Sequence, residues 1–466
     1  MERIMAPRII PRKEHNISRK QINPYALRTL YRLRDEGFIA YLVGGCVRDL
    51  LLKRTPKDFD IATNATPGQI KRLFRNCRLI GRRFRLAHLH FKEEILEVST
   101  FRADGPAEDS EEEGRPGTGE GKGAVAGHPR HLKDDNGVVL RDNVFGTPEE
   151  DALRRDFTIN ALAYNIADFT VIDYSTGLRD LRDRIIRPIG DPAVRFTEDP
   201  VRMLRAVRFA ASHDFALEPA AWEVIRRLAP TISRSSPARL YEEVQKLFLL
   251  GSAGRVLGLL EESGLLAALL PGVDRRLADD EVYRRRLRAN LDYLDQRRQS
   301  EMPPTPSFLL AALFGPSLEE AALAGHREGI PFQQALDSAC GAALMELGNT
   351  VTVPARIGDH LRRILAMQQV LRRRPPRRPT ALSGRQEFAE ALEYLRMTTA
   401  VQGEGQAARE WWDAFLAGVP PEKITGTADA DTPAPEADAR KKRSRRRRPR
   451  RRKAAVPAAA SADATG

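Results

Sequence analysis

One stretch constrains the fold of this 466-residue chain more than any other: Leu42-Val43-Gly44-Gly45-Cys46-Val47-Arg48-Asp49, followed by Lys57-Asp58-Phe59-Asp60. Ala40–Val43 is short and apolar and reads as a buried strand. Gly44-Gly45 ends it, and Val47–Leu52 reads as a helix. Phe59–Ala62 reads as a second strand. Asp58 and Asp60 are two apart, so an extended backbone sends both carboxylates off one face. Such a pair repels itself unless a cation is shared between the two groups. Mg²⁺ suits, because it takes one or two carboxylates and fills its shell with phosphate oxygens and water. A Gly-Gly turn lets backbone N–H groups approach a phosphate, and Arg48, one turn into the helix, reaches the same phosphates. A D-x-D or a Gly-Gly turn alone is common. The ordered set, with R-D between them, is much more specific.

The rest of the chain divides by composition. Residues 1–22 are polar and basic and read as an extension. Ala26–Glu36 has helical spacing, stopped by Gly37. Pro67–Phe74 reads as a helix, and His88–Phe91 with Ile95–Phe101 as a hairpin turning at 92–94. Asp104–Asn136 is rich in Gly, Glu, Pro and Asp, lacks periodicity, and reads as a mobile loop (104–137) inserted in the first domain. From Asp199 the chain is mostly helical to about Gly418. The expected domains are a head at 23–190, a helical neck at 191–265, a helical body at 266–425, and a linker with a basic tail at 426–466.

The formal net charge is +13, but 12 of the 14 residues from Arg440 to Lys453 are Lys or Arg, which leaves about +1 on everything else. The basic signal belongs to the tail, and such runs are usually disordered and bind nucleic acid loosely. Three scattered cysteines, Cys46, Cys77 and Cys340, make neither a disulfide framework nor a zinc site. The first 15 residues lack the apolar core of a secretory signal, and no run of about 18 apolar residues suggests a membrane span. A cytoplasmic chain with no membrane contact is expected.

The segment LVGGCVRDLLL…KDFDIATNATP resembles the head of polymerase-beta-like nucleotidyltransferases, in the branch holding tRNA CCA-adding enzymes and bacterial poly(A) polymerases. The resemblance continues through RRDFTINALAY (Arg154–Tyr164), Asp173–Gly190 and EDPVRMLRAVRFAA (Glu198–Ala211), and covers roughly residues 10–260. Cys46 departs from it, since poly(A) polymerases often carry Gly there. The resemblance implies an α+β fold, with a small mixed-sheet head followed by an elongated all-helical neck and body. It also implies two Mg²⁺ ions (Mn²⁺ as a substitute) on Asp58 and Asp60, one for the RNA 3′-hydroxyl and one for the triphosphate of ATP. Glu97 is the favoured third ligand, because Leu96 and Val98 alternate with it; Asp156 is the other candidate. Arg155 and Asn160 are implied to hold triphosphate and ribose.

Glu198-Asp199-Pro200-Val201-Arg202 should start a helix, with Asp199 as its cap and Pro200 in its first position. From spacing alone Asp199 and Arg202 read as a cap with a salt bridge. The resemblance makes them the protein-side base reader. A carboxylate accepts and a guanidinium donates, so the pair suits the amino group and ring nitrogen of adenine and of cytosine alike. Arg205 and Arg208, further along, read as phosphate or primer contacts, or as a solvated basic face. Arg239 and Glu243, four apart, read as a structural brace.

Within the family, three features favour poly(A) synthesis over CCA addition: the N-terminal segment, Leu73–Phe91 with Arg82, Arg83 and Arg85, and the basic tail at 440–453. The expected partners are single-stranded RNA 3′ ends, ATP and RNA-decay proteins, and the chain is expected to act as a monomer. A non-catalytic RNA-binding protein would share the tail but would not need Asp58 with Asp60. A small-molecule nucleotidyltransferase would not need the tail or the helical body. His213-Asp214 lacks the partners of a phosphohydrolase metal site and reads as a loop.

Overall fold

The computed structural model describes residues 6–81, 85–92, 94–103, 144–373 and 376–424. The 104–137 loop, the 440–453 tail, Arg82 and Arg83 lie outside the described residues.

The head strands are β1 (Arg8–Ile10), β2 (Ala40–Val43), β3 (Ile61–Thr63), β4 (Cys77–Ile80), β5 (Leu86–His90), β6 (Ile95–Thr100), β7 (Arg102–Ala103), β8 (Val144–Phe145), β9 (Leu162–Asn165) and β10 (Val171–Asp173). Eight of them form one sheet in the order β1-β10-β9-β2-β3-β6-β5-β4. All pairings are antiparallel except β3 with β6, so the sheet is mixed as expected. Helices α1 (Pro24–Asp35), α2 (Gly45–Leu51), α3 (Pro67–Leu73), α4 (Pro148–Leu153) and α5 (Gly177–Asp183) belong to the head. Leu30, Leu33, Val47, Leu50 and Ile70 from α1–α3 join Leu42, Ile61, Leu89 and Val98 from the strands in the principal core.

Two local readings change. The segment read as an N-terminal extension is part of the head: β1 pairs with β10, Arg8 opposite Asp173 and Ile10 opposite Val171, and Ile17 and Ile22 are buried. The second strand begins later than expected, at Ile61. Asp58 and Asp60 therefore lie in its extended lead-in, where the Asp60 carbonyl still accepts from Val43 N–H at 3.1 Å. The hairpin forms as read, with His88 opposite Glu97.

Helices α6 (Pro192–Glu198), α7 (Val201–His213), α8 (Pro219–Leu228) and α9 (Pro237–Phe248) follow the head, and the chain stays helical to Gln406–Leu416. Helix Pro306–Arg327 has 22 residues and a mean hydropathy of 1.3 over 18 of them, enough by length and composition to cross a membrane. Its Phe308–Leu313 run is buried against neighbouring helices, which is how the core helix of a large folded body looks.

Candidate active site

The strand-to-helix turn is built on Gly44, at φ +76° and ψ −135°, a backbone conformation that only glycine adopts without strain. A Cβ there would also lie 2.8 Å from Arg155 Nη1. Gly44 therefore does two jobs: it makes the turn and it admits the Arg155 guanidinium directly above it. Its N–H is taken by the Leu162 carbonyl at 3.2 Å, so this particular group is not the phosphate donor that spacing suggested. Gly45 starts α2 and faces Arg48, whose Nη2 lies 3.5 Å from the position of a Cβ.

Asp58 is exposed and Asp60 is half-buried. Burial pushes the Asp60 carboxyl up to about 6, and the negative charges of Glu97 and Asp58 add to this against the pull of Arg155. Glu97 acts on Asp60 more strongly than Asp58 does. It projects from β6 between buried Leu96 and Val98 and is about half exposed, with His88 Nε2 3.6 Å from its Oε1. The structure thus brings Asp60, Asp58 and Glu97 into one electrostatic cluster. Among the described residues no three acidic, His or Cys side chains close tightly enough to hold an ion by themselves.

Asp156 is placed differently. Its carboxylate accepts from Arg205 Nε at 2.8 Å, Asn160 Nδ2 at 3.0 Å and its neighbour Phe157 N–H at 2.9 Å. Burial pushes it up, but the charge of Arg205 and these hydrogen bonds outweigh burial and hold it below the usual carboxylate range. A carboxylate so fully committed geometrically joins head to neck. Arg205 is spent on it, not on phosphate. Asn160 Oδ1 accepts from Arg48 Nη1 at 2.8 Å, and Arg48 also donates to Asp49 at 2.9 Å. Asp49 lies 3.7 Å from His213 Nε2. Arg48 is buried within this chain, which corrects its expected reach toward phosphate. His213 is the last residue of α7 and buried, rather than a loop residue.

Three further arrangements escaped sequence reasoning. Arg155 donates to Asp151 at 3.0 Å. Arg195, on α6, donates to the Arg154 and Arg155 carbonyls at 2.6 and 2.8 Å. Asp180, fully buried, accepts from Thr158 at 2.7 Å and from Arg187. Their partners lie 4 to 41 residues apart in the chain, and only the first has a spacing that sequence could suggest.

Asp199 follows the last residue of α6, and its carbonyl accepts from Arg202 N–H at 3.0 Å, but its side chain makes no cap bond to α7. One carboxylate oxygen accepts from Arg239 Nη2 at 2.7 Å. The other is buried and without a hydrogen-bond partner. A buried lone acceptor is costly unless a donor arrives. Arg202, on the next turn, donates to the Arg195 carbonyl at 3.2 Å and lies 3.6 Å from Glu198. The expected brace between Arg239 and Glu243 does not form. Arg239 serves Asp199, and Glu243 takes Arg208, so Arg208 is also spent inside the protein.

Three stretches of the chain match described family domains: "Poly A polymerase head domain" at residues 40–187, "Probable RNA and SrmB- binding site of polymerase A" at 214–277, and "Polymerase A arginine-rich C-terminus" at 328–452. Poly(A) polymerase I of Salmonella typhi is 43% identical over 420 residues, 89% of this chain and 87% of its own length. The chain belongs to the poly(A) polymerase family. The Haemophilus influenzae poly(A) polymerase I is 37% identical over 87% of both chains. The CCA-adding enzyme of Bacillus licheniformis is 38% identical, but over only 53% of this chain. Among solved structures, a Bacillus stearothermophilus CCA-adding enzyme in complex with CTP is 28% identical, covers 86% of this chain and 81% of its own, and superposes with a TM-score of 0.52. The mixed-sheet head with a mostly helical body is therefore the family's architecture. The chain is a nucleotidyltransferase of this family, which generally uses divalent metal ions.

Proposed function

We propose that this poly(A) polymerase family member adds AMP from ATP to the 3′ ends of single-stranded RNA without a template, through Asp58, Asp60 and Glu97. The RNA 3′-hydroxyl oxygen bonds to the α-phosphorus of ATP, the bond to the pyrophosphate oxygen breaks, and the hydroxyl proton leaves to solvent. Two Mg²⁺ ions on these carboxylates would lower the cost of ionising the hydroxyl and of releasing pyrophosphate. The observation that carries the proposal is the cluster itself: Asp60 is raised to about 6 by burial and by Glu97 and Asp58, a repulsion that a shared cation relieves. Arg155, held over Gly44, is the cation placed for the triphosphate.

Base selection falls to Asp199 and Arg202. The unpartnered Asp199 oxygen is ready to accept from an exocyclic amino group, and Arg202 to donate to the adjacent ring nitrogen. That geometry admits adenine and cytosine and rejects guanine and uracil. The choice of a poly(A) product rests on the full-length similarity to poly(A) polymerase I, not on this pair. Arg205, Asp156, Asn160 and Arg48 act as the frame that holds head and neck in register.

The proposed setting is the cytoplasm, where Cys46, Cys77 and Cys340, free and buried, stay reduced. RNA-decay proteins contacting residues 214–277 and action as a monomer complete the proposal. Purified protein with ATP, Mg²⁺ and an unstructured RNA should add a long A tail. Addition of only C-C-A, and only to tRNA-like ends, would replace this reading with CCA addition. Full activity of an Asp58→Ala plus Asp60→Ala variant would overturn the metal assignment.

A further inference from the structure

α2 begins in the active site at Gly45, and its other end opens on a different feature. Past Leu51, the N-terminal segment, the end of α2 and α5 enclose a groove of about 490 Å³. Seven helical residues place it on the order of 10 Å behind the Gly44 turn. Its floor is apolar, with Ile10 and Val171 from the paired edge strands. Its rim carries four cations, Arg8, Lys13, Lys53 and Arg182, against one carboxylate, Glu14. All four cations are exposed.

The basic residues nearest the site are committed: Arg48, Arg154, Arg155 and Arg187 in the head, and Arg205 on α7, are each paired with an acid. Among the described residues, none of the groove's four cations has an acid partner. Nothing in the reaction described above uses them.

The remaining lining says what kind of ligand the groove takes. Asn16 donates its amide to the Leu50 carbonyl at 2.8 Å. His15 accepts Ile17 N–H on Nδ1 at 3.2 Å, which leaves Nε2 to donate to the Phe169 carbonyl at 2.9 Å. His15 is consumed internally on both ring nitrogens, and Asn16 has one amide N–H committed to the backbone. No Phe, Tyr or Trp lines the groove, so it offers no stacking platform. Four cations without an acid partner dominate the rim above an apolar floor, against the single carboxylate of Glu14. Such a surface holds backbone phosphates and is indifferent to sequence.

We propose that this groove is a second RNA subsite, which holds phosphodiesters of the substrate strand away from its reacting 3′ end. It rests on the reading that RNA is the substrate, and it gives that strand a hold on the rigid head independent of the basic tail. The occupant is a phosphate-bearing strand; a free nucleotide shares the phosphate chemistry and is separated by the test.

The test uses the full chain with Arg8→Gln, Lys13→Gln, Lys53→Asn and Arg182→Gln combined. All four positions are exposed, and Asn tolerates the positive φ of 58° at residue 53. Binding of oligo(A) is followed by fluorescence anisotropy across a salt series. Four phosphates at about 0.7 each should flatten the log–log salt slope by about 2 to 3. The KM for a long RNA should rise about tenfold, with kcat, the KM for ATP and extension of the shortest accepted primer unchanged. Charge-preserving Lys13→Arg plus Arg182→Lys should keep the wild-type slope. An unchanged slope overturns the proposal. So does an equal defect on the shortest primer, or protection of Lys13 and Lys53 from acetylation by ATP but not by oligo(A). Failure of the wild-type protein to extend any RNA would instead sink the polymerase reading, and the salt slope still decides the groove.

Discussion

Asp60 sets up a test that needs no activity assay. Its carboxyl stands at about 6, against an ordinary value of 3.8. At 1.36 kcal/mol per pH unit this difference is worth about 3 kcal/mol, an upper figure because the group is not fully buried. Between pH 3.8 and 6 the folded protein holds a proton that the unfolded chain has lost. Stability contributed by this site therefore falls as pH rises through that window, and above about pH 6 the whole penalty is present. Asp60→Asn removes the charge and keeps the shape. In metal-free buffer with chelator at pH 8, the variant should melt above wild type by up to about 6–12 °C, since 1 kcal/mol moves a domain of this size by about 2–4 °C. At pH 4 the two should converge. Mg²⁺ should raise the melting temperature of wild type and leave Asp60→Asn nearly unmoved. A variant no more stable than wild type at pH 8 without metal would refute the claim that these carboxylates repel one another in one site.

Arg239→Ala should leave stability within about 1 kcal/mol, because its bond to Asp199 is half exposed. It should raise the KM for ATP about fivefold with kcat little changed, and weaken discrimination against GTP; an unchanged KM in nucleotide-competition kinetics would remove Arg239 from base selection. Gly44→Ala meets both the positive φ and Arg155 Nη1 at 2.8 Å. A loss of about 1–3 kcal/mol in thermal unfolding, with a fall in polyadenylation, is expected, and wild-type values for both would contradict the turn's double role. Burial, with the nearby Asp60 charge adding to it, pushes the Cys46 thiol up to about 12. Native protein at pH 8 should therefore resist alkylation there, and mass spectrometry showing rapid modification of Cys46 would contradict its burial.

What could be read in advance follows from the range of the interactions. The Gly44 turn, the α2 helix and the β5–β6 hairpin are decided by neighbours within a few residues, and Glu97 shows its face through the alternation of Leu96 and Val98. The fates of the basic residues on α7 were not legible. Arg205 finds Asp156 49 residues back, and Arg208 finds Glu243 35 residues ahead. A helical spacing says which side chains share a face, but not what comes to meet that face. The Arg239–Glu243 spacing misled for the same reason: an i,i+4 pair is worth a few tenths of a kcal/mol, and closer partners on other elements displaced it. Asp199 was read correctly as the extended residue before a helical Pro200, but its carboxylate serves Arg239 instead of the first turn of α7.

The pairing of Arg8–Ile10 with β10 bears on how this protein tolerates change at its N-terminus. Without those three residues, β10 would present a row of open N–H and C=O groups, the kind of border along which one polypeptide recruits another. A truncation that begins after residue 22 would leave that border open to self-association, even with every residue of the nucleotidyl-transfer chemistry intact. The same three residues suit a bulky fusion poorly, since anything that pulls them from the sheet uncovers that border.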